Sequence, residues 1–161
     1  MKRGFTLLLV EDCGDDVLLF QHAIEKASEK TSVPIRVEVT HDGEEAIAYL
    51  KGEGVFSDRN KFPFPEIVIT DLKMPRLSGL DVLAWLKEHS EYQRVPKVLM
   101  SASCMDSDVD EAYRLGVNTF FQKPAQHGEF QDLIYFLVGY WARTQRPVIR
   151  HGRVKEGLTS G

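Results

Sequence analysis

The sequence predicts an α/β domain, built as a doubly wound parallel sheet with helices on both faces. Short apolar runs of strand length alternate five times with longer segments whose apolar residues recur at helical spacing. The composition, 43% hydrophobic and 27% charged, is ordinary for a globular protein with a packed core. Because strands that alternate with helices form parallel sheets with right-handed crossovers, the pattern indicates five β-α units in one domain.

The first half of the chain contains two of these units and a long connector. Phe5–Val10 is a continuous apolar run, as expected for a strand buried on both faces. The helix predicted after it has apolar residues at Val17, Phe20, Ile24 and Ala27. Val33–Thr40 alternates apolar and polar residues, which indicates a half-exposed edge strand, and Asp42 and Gly43 end it before a short second helix. Gly52–Pro65 then forms a polar connector.

The second half contains the three remaining units. Ser78 is placed to cap the third helix, because a serine hydroxyl accepts hydrogen bonds from the free N–H groups at a helix start. The fourth helix is predicted over Asp106–Leu115 with Gly116 as a left-handed terminator, and the fifth over Gly128–Arg143. The strands before these helices are predicted at Ile67–Thr70, Val98–Met100 and Thr119–Phe121.

The chain divides into a domain at residues 1–143 and a basic tail at residues 144–161. The tail carries Arg146, Arg150, Arg153 and Lys155 against the single acid Glu156. It is too short for an output domain, and both a contact arm and a solvated end fit it. The net charge of −4 gives no global field that would attract nucleic acid, so no nucleic-acid partner is predicted.

The expected location follows from absences in the sequence. No apolar stretch approaches the roughly 20 residues that a membrane span needs, and no signal peptide precedes the first strand. Cys13 and Cys104 lie far apart without a C-x-x-C pair, so no zinc site is predicted. These features predict a cytoplasmic protein with no membrane partner. Inert thiols and a redox role near the edge of the sheet are the two interpretations of the cysteines.

Charged and polar side chains follow four of the five predicted strands. They are Glu11 and Asp12 after the first strand, Asp71 after the third, Ser101 after the fourth and Lys123 after the fifth. In open parallel sheets, ligands bind outside the carboxyl ends of the strands, so these side chains are expected at one edge. Each residue alone is typical of an ordinary turn or helix cap. Their joint position indicates a functional site.

This set of residues suits phosphoryl transfer. Three clustered carboxylates repel one another, and a hard divalent cation such as Mg²⁺ relieves that repulsion with Glu11, Asp12 and Asp71 as ligands. A carboxylate next to the metal can attack an activated phosphoryl group and form an aspartyl phosphate. Lys123 and the metal would neutralise the phosphoryl oxygens, and Ser101 would donate a hydroxyl.

Five motifs occur in order along the chain. They are LLLVED (Leu7–Asp12), HDGEEA (His41–Ala46), IVITDLKMPRLSG (Ile67–Gly79), PKVLMSAS (Pro96–Ser103) and FFQKP (Phe120–Pro124). With these motifs, residues 5–143 resemble the receiver domains of two-component response regulators, which have the flavodoxin-like (βα)5 fold. The resemblance implies a five-stranded parallel sheet of order 2-1-3-4-5.

The resemblance also implies a role for each matching residue. It implies that the Mg²⁺ ligands are Glu11, Asp12, Asp71 and the backbone carbonyl of Lys73. Asp71 would be the phosphoacceptor, and Lys123 the basic partner of the phosphoryl group, with a cis bond to Pro124. Ser101 and Phe120 would be coupled switch residues, which change the surface of the fourth helix, fifth strand and fifth helix on phosphorylation.

The implied partner is a sensor histidine kinase. The implied protein is not an enzyme but a phosphoacceptor that assists only its own phosphotransfer and dephosphorylation. The Glu11-Asp12 pair, the connector and the aromatic last helix are similar to regulators paired with phytochrome-type kinases, and a single-domain regulator of any other kinase is the alternative. Phe136, Tyr140 and Trp141 exceed the stripe that the last helix must bury, which favours a homodimer through that helix over core packing alone.

Three other classes fit less well. A haloacid-dehalogenase-type phosphatase also has a strand-end Asp nucleophile, but it needs a second Asp two residues later, where this chain has Lys73. A nucleotide-binding protein would need a Gly-rich phosphate loop after a strand, and the sequence has none. A degenerate receiver, a phosphorylation-independent interaction module, usually lacks one of Asp12, Asp71 or Lys123. This chain has all three residues, which favours a phosphoacceptor and leaves the degenerate receiver as the alternative.

Overall fold

The structure, a computed structural model, describes residues 3–147. The strands are β1 (Phe5–Val10), β2 (Ile35–Thr40), β3 (Ile67–Asp71), β4 (Lys97–Ser101) and β5 (Thr119–Gln122). The helices are α1 (Gly14–Thr31), α2 (Gly43–Lys51), α3 (Gly79–Glu88), α4 (Asp106–Arg114) and α5 (His127–Arg143). The strands form one parallel sheet in the order β2-β1-β3-β4-β5, which confirms the predicted fold class and strand order.

The helices cover both faces of the sheet. α1 and α5 lie on one face and pack against each other through Phe20 and Phe130, whose ring centroids lie 5.7 Å apart. α2, α3 and α4 lie on the other face. Because side chains alternate along a strand, Leu9 and Ile69 face α1 and α5 while Leu8 faces α2 and α3. The same alternation decides which strand-end side chains can meet.

The strand bounds agree with the sequence prediction to within two residues. β2 begins at Ile35, two residues later than predicted, because Pro34 before it has no N–H to donate to a ladder. It lies at the edge and is half exposed, as its alternating sequence predicts, whereas β1, β3 and β4 are wholly buried. β3 and β4 extend to Asp71 and Ser101, so these two candidate site residues belong to the strands themselves.

The predicted helix signals are present. Ser78 Oγ accepts a hydrogen bond from the Asp81 N–H at 3.3 Å, and the Asp81 carboxylate accepts one from the Ser78 N–H at 2.8 Å. This reciprocal capping box starts α3. Asp42 caps α2 by accepting from the Glu45 N–H at 2.8 Å. Gly116 follows α4 with a φ of +91°, the left-handed conformation that a glycine terminator adopts.

The connector between α2 and β3, predicted to be polar, is packed through aromatic side chains. Phe56 and Phe62 lie beside Tyr49, with ring centroids 5.0 Å and 6.2 Å from the Tyr49 ring. Arg59 donates to the Leu50 carbonyl at 2.7 Å and lies 5.7 Å from the centroid of the Tyr49 ring. The connector therefore covers part of the hydrophobic core on the α2 side of the sheet.

Gly79 marks a close approach between α3 and the end of β3. A Cβ built on Gly79 would lie 2.7 Å from Leu99 Cδ1 and closer still to the backbone carbonyl oxygen of Asp71. We expect Gly79→Ala to lower the free energy of unfolding, measured with urea, by about 2 to 3 kcal/mol, because overpacking displaces backbone. Gly128→Ala is the matched control, since its added Cβ would meet no atom within 4 Å. Equal stability of the two variants would contradict the tight contact.

Lys97 is a buried lysine that no sequence pattern indicates. It begins β4, is 4% exposed, and donates one hydrogen bond from its ammonium to the Gln93 carbonyl at 2.7 Å. Burial lowers the pKa of its side chain, because the surrounding apolar atoms disfavour the charged form. The domain therefore contains a charge whose burial costs stability.

Lys97→Met is expected to raise the free energy of unfolding at neutral pH by about 1 to 2 kcal/mol, because methionine needs no charge desolvation. The folded-state pKa of Lys97 lies below its ordinary value of 10.5, so its destabilising effect is complete below the folded pKa. The effect disappears as the pH rises through the folded pKa towards 10.5. Urea unfolding at several pH values should show the gain shrinking with rising pH. The exposed Lys26→Met control should show no such trend, and a constant gain for Lys97→Met would contradict the argument.

The residues that follow α5 pack against the amino-terminal edge of the sheet. Arg146 lies 3.3 Å from the Glu66 carboxylate and donates to the Trp141 carbonyl at 2.7 Å. Its side chain is 8% exposed, so the described beginning of the predicted tail is in contact with the domain. Residues 148–161 of that tail lie outside the described residues.

Candidate functional site

The sheet brings the strand-end residues to one edge and sorts them by face. Glu11 follows the last residue of β1, Asp71 ends β3, and Lys123 follows the last residue of β5. All three continue the alternation of the strand residues that face α1 and α5, so their side chains converge beside the start of α1. Ser101 continues the alternation of Leu99 and lies on the side of α3 and α4. The candidate site residues therefore lie at one edge of the sheet in two groups, one on each face.

Lys123 is at the centre of the first group. Its ammonium nitrogen lies 2.8 Å from Glu11 Oε2, 2.7 Å from Asp16 Oδ2 and 3.0 Å from Asp71 Oδ2. An ammonium has three N–H donors, one for each of these carboxylates. The Lys123 side chain is 10% exposed and the Glu11 side chain is fully buried. Solvent therefore screens these charges only weakly.

Glu11, Asp12 and Asp71 form a cluster that fits a divalent metal ion. One carboxylate oxygen from each residue lies within 4.8 Å of the other two. Glu11 and Asp71 are buried and Asp12 is exposed, so the cluster opens to solvent on one side. A set of oxygen ligands open to water is what Mg²⁺ prefers. Lys73 lies two residues after Asp71 in the exposed loop before α3, and its carbonyl as a fourth ligand stays a prediction.

The charges of the cluster alter proton affinities. Burial raises the pKa of Glu11 to about 7; the hydrogen bond from Lys123 opposes this rise and the charge of Asp71 adds to it. Burial lowers the pKa of Lys123, but its hydrogen bonds to Asp16 and Glu11 and the charges of Glu11 and Asp71 outweigh burial, so the net shift is upward. Lys123 therefore keeps its positive charge. The carboxylates around it carry more negative charge than one ammonium neutralises, and a further cation would reduce their mutual repulsion.

Ser101 and Phe120, the predicted switch residues, are both connected to the α4 side. Ser101 is 1% exposed, and its Oγ accepts a hydrogen bond from the Ser103 N–H at 3.3 Å. Phe120 is partly buried and packs in the cluster that contains Leu99. The Phe120 N–H donates to the hydroxyl of Tyr113, on α4, at 3.3 Å. A hydroxyl from α4 is therefore bound to the strand that carries the switch aromatic residue.

Asp16 is not among the predicted site residues, yet it makes the shortest of the three contacts with Lys123. Asp15 and Asp16 both lie in the first turn of α1, where acids are common because they interact favourably with the helix dipole. The signal that could have separated them is helical spacing. Asp16 is four residues before the buried Phe20 and so shares the inward face of α1.

The Lys123–Pro124 peptide bond is trans, because residues 3–147 contain no cis peptide bond. The cis bond that the resemblance implies is therefore wrong for this structure. The trans form before proline is intrinsically favoured by about 0.5 to 1 kcal/mol. The Lys123 N–H also continues the ladder by donating to the Ser101 carbonyl at 2.8 Å, and the ammonium reaches all three carboxylates from this position.

The last helix presents an aromatic surface. Phe136 is 69% exposed and Tyr140 is 63% exposed. Trp141, by contrast, is partly buried against the core between α1 and α5. Of the three aromatic residues predicted to exceed the buried stripe, Phe136 and Tyr140 therefore do so and Trp141 does not. Exposed aromatic patches of this kind are typical of protein interfaces.

The sheet order and the acidic cluster with its lysine at the carboxyl edge define the class of phosphoacceptor domains found in two-component signalling. Comparison with protein families agrees: the response regulator receiver domain matches residues 8–135. The chain belongs to the response regulator receiver domain family.

Individual relatives place the chain more closely within that family. It is 27% identical to the response regulator Rcp1 of Synechocystis sp. over 138 residues, which span 86% of this chain and 89% of Rcp1. The crystal structure of the phosphorylated cyanobacterial phytochrome response regulator RcpA is similar with a TM-score of 0.82 and 29% identity, and covers 90% of this chain and 99% of RcpA. The crystal structure of the Mn(2+)-bound form of Rcp1 is similar with a TM-score of 0.81 and 26% identity. The match covers 89% of this chain and 99% of Rcp1.

Family membership defines the general function. The chain is a response regulator receiver domain of phosphorylation-based signalling, whose partner is a histidine kinase. Receiver domains are phosphoacceptors rather than enzymes, and they bind a divalent metal ion. Within residues 3–147, no helix is long and apolar enough to cross a membrane, and no DNA-binding domain is present.

Proposed function

We propose that the chain accepts a phosphoryl group from a histidine kinase on Asp71, with the help of Mg²⁺, Ser101 and Lys123. The observation that carries this proposal is the position of Asp71. Its carboxylate ends a buried strand, belongs to the metal-fitting cluster and lies 3.0 Å from the Lys123 ammonium. A carboxylate placed there is next to both positive charges that phosphoryl transfer requires.

The transfer forms one bond and breaks one. A carboxylate oxygen of Asp71 attacks phosphorus while the P–N bond of the kinase phosphohistidine breaks and its electron pair stays with the imidazole. Bound Mg²⁺ supplies positive charge to the phosphoryl oxygens. Lys123 donates an N–H to one phosphoryl oxygen, and the Ser101 hydroxyl donates to another. The same groups would assist water in hydrolysing the aspartyl phosphate, so the protein would also limit its own signal.

Glu11, Asp12 and Asp71 would hold the Mg²⁺ ion, with the Lys73 carbonyl as a further ligand. Binding to the folded state alone, at about ten times the dissociation constant, would stabilise the protein by about 1.4 kcal/mol. We expect thermal unfolding to show this gain on addition of Mg²⁺ and its reversal by a chelator. Asp12→Asn should reduce the gain, and Asp15→Asn, outside the cluster, should keep it. Equal gains in both variants would contradict the ligand assignment.

Ser101 and Phe120 would carry the change outward to the surface of α4, β5 and α5. When the Ser101 hydroxyl turns to the phosphoryl group, it leaves the Ser103 N–H and frees the loop before α4. Phe120 packs against the cluster that contains Leu99 of β4 and Ala112 of α4, and its N–H donates to the hydroxyl of Tyr113 of α4. A local change in hydrogen bonding would thus reach an exposed helix.

Intact-mass spectrometry after incubation with acetyl phosphate tests the proposal. Here the P–O bond to acetate breaks in place of the P–N bond. We expect one phosphoryl adduct that requires Mg²⁺ and disappears when a chelator is present. If acetyl phosphate gives no adduct, the same measurement with phosphorylated histidine kinases is decisive. No adduct from any donor on the folded, Mg²⁺-loaded protein would overturn the proposal in favour of a phosphorylation-independent interaction module.

We propose a phytochrome-type histidine kinase as the partner and the cytoplasm as the location. The similarity to RcpA, a cyanobacterial phytochrome response regulator, supports the first. Cys13 and Cys104 are free and exposed, which suits a reducing compartment. Phosphotransfer rates from a phytochrome-type kinase and from an unrelated histidine kinase should differ strongly. Equal rates would contradict the assignment of the partner.

We also propose that two copies associate through α5. The exposed Phe136 and Tyr140 side chains support this, because they would bury apolar surface in a symmetric contact. Light scattering after size exclusion should show a dimer for the wild type and a monomer for the Phe136→Glu/Tyr140→Glu variant. Leu18→Glu, at an exposed apolar residue of α1, is the control and should remain a dimer. A wild type that stays monomeric at every concentration would overturn the proposal.

A further inference from the structure

Asp16 lies outside the set of residues that phosphoryl acceptance requires, yet it contacts the Lys123 ammonium at 2.7 Å. Glu11 and Asp71 lie slightly farther from that ammonium, at 2.8 Å and 3.0 Å. The Asp16 side chain is 19% exposed and comes from the first turn of α1, not from the edge of the sheet. Lys123 is therefore bound both from the edge of the sheet and from α1.

The three carboxylates differ in what happens to them during the reaction. Glu11 is fully buried, and its second oxygen accepts from the Cys13 N–H at 3.1 Å, so its position is fixed. Asp16 belongs to an 18-residue helix whose buried face packs on the sheet. Asp71 is the reacting group, and its carboxylate becomes an acyl phosphate. Two of the three partners of Lys123 are thus constant and one is replaced.

We propose that Asp16 is a positioning residue: with Glu11, it orients the Lys123 ammonium so that the third N–H points to Asp71 and its phosphoryl group. This inference rests on the proposed function of Asp71 and Lys123. An ammonium on a flexible four-carbon stem has three rotatable donors, and two constant acceptors are needed to define the direction of the third. Without Asp16 the charge remains but its alignment is lost, and phosphoryl transfer depends on alignment.

Asp16 has a second effect of opposite sign on an anionic phosphodonor. Its negative charge opposes the approach of the donor, so its removal should lower the donor concentration that gives half the maximal rate. Loss of alignment should instead lower the maximal rate itself. A role limited to charge would change only the first quantity, and a role limited to the stability of α1 would change neither in the folded protein. The maximal rate and the half-saturating concentration therefore distinguish a positioning role from a role in charge alone or in the stability of α1.

The test compares Asp16→Asn with Asp15→Asn. Both substitutions remove one charge from the first turn of α1, but Asp15 is exposed and has no ion pair with Lys123 in the part of the chain that the structure describes. Phosphorylation rates are measured against acetyl phosphate concentration at saturating Mg²⁺, with thermal unfolding to show that each variant is folded. Asp16→Asn should lower the maximal rate about tenfold, in line with the cost of misplacing a catalytic group, without raising the half-saturating concentration. Asp15→Asn should keep the wild-type maximal rate.

A second measurement uses the metal-free protein and no phosphodonor. In protein labelled with ¹⁵N-lysine, the Lys123 ammonium should give a resolved NMR signal with slow hydrogen exchange, because it is buried and bonded to three carboxylates. Asp16→Asn should speed this exchange, and Asp15→Asn should not. Equal maximal rates in the two variants, or an unchanged Lys123 signal in Asp16→Asn, would overturn the inference. A wild type that accepts no phosphoryl group would instead overturn the proposed function.

Discussion

Asp71→Asn is expected to abolish the Mg²⁺-dependent phosphoryl adduct completely. The amide of asparagine is not a nucleophile towards phosphorus, and Asp71, at the end of β3, lies in the metal-fitting cluster and beside Lys123. Intact mass, followed by peptide mapping of the wild-type adduct, measures this. An adduct of the same stoichiometry in the variant would place the phosphoacceptor elsewhere. The exposed Asp12 would then be the first residue to examine.

The same substitution is expected to make the metal-free protein more stable by about 1 kcal/mol. The reason is that the repulsion between Asp71 and its acidic neighbours is expected to exceed its attraction to Lys123. It lies 3.0 Å from one cation, Lys123, but its cluster neighbours Glu11 and Asp12 are both acids within 4.8 Å. An asparagine keeps an oxygen for the Lys123 N–H and removes a buried charge. Urea unfolding in the presence of a chelator tests this. Asp106→Asn, an exposed acid in the first turn of α4, is the control and should give no gain.

Mg²⁺ should reverse the order of stability of these two proteins. The wild type loses its repulsion when the cation binds, whereas Asp71→Asn has lost one ligand and gains less from the same ion. A variant that is less stable than the wild type without metal would contradict this. In that case the attraction between Asp71 and Lys123 would exceed the repulsion from both acidic neighbours.

Much of this site could be predicted because a parallel sheet places the carboxyl ends of its strands at one edge. Glu11, Asp71, Ser101 and Lys123 each occupy such an end, and local sequence is enough to locate a strand end to within two residues. Asp16 comes from a helix, and whether a helical side chain points at the site depends on how α1 is rotated against the sheet. That rotation is decided by packing such as the contact of Phe20 with Phe130, which local sequence does not show.

The other differences between the sequence prediction and the structure also arise from tertiary contacts. Lys97 is a charged residue next to an apolar run, and only the packed structure shows that it is buried and donates to the Gln93 carbonyl. In the connector, Phe56 and Phe62 are separated by five polar residues, so no periodic pattern reveals that both pack on Tyr49. Family resemblance also fails at the Lys123–Pro124 bond, which has the intrinsically favoured trans form in this structure.

Lys123→Met is expected to lower the free energy of unfolding of the metal-free protein by about 3 kcal/mol, because it leaves buried carboxylates without their cation. Glu11 is fully buried and Asp71 is 8% exposed, so water compensates little. The same change should slow phosphorylation by about two orders of magnitude, the usual cost of removing one donor to a developing charge. Urea unfolding with a chelator and timed intact-mass measurements test the two effects. Lys73→Met, at an exposed lysine near the site, is the control and should leave stability unchanged.

Mg²⁺ should restore a large part of the stability that Lys123→Met loses, and little of the phosphorylation rate. The ion and the ammonium neutralise the same carboxylates, since Glu11 and Asp71 belong both to the metal-fitting cluster and to the ion pairs of Lys123. They are therefore exchangeable as counter-charges in the resting protein. They are not exchangeable in the reaction, because a metal ion has no N–H to donate to a phosphoryl oxygen. Full recovery of the rate with Mg²⁺ would show that Lys123 contributes charge alone, and no recovery of stability would show that the ion binds elsewhere.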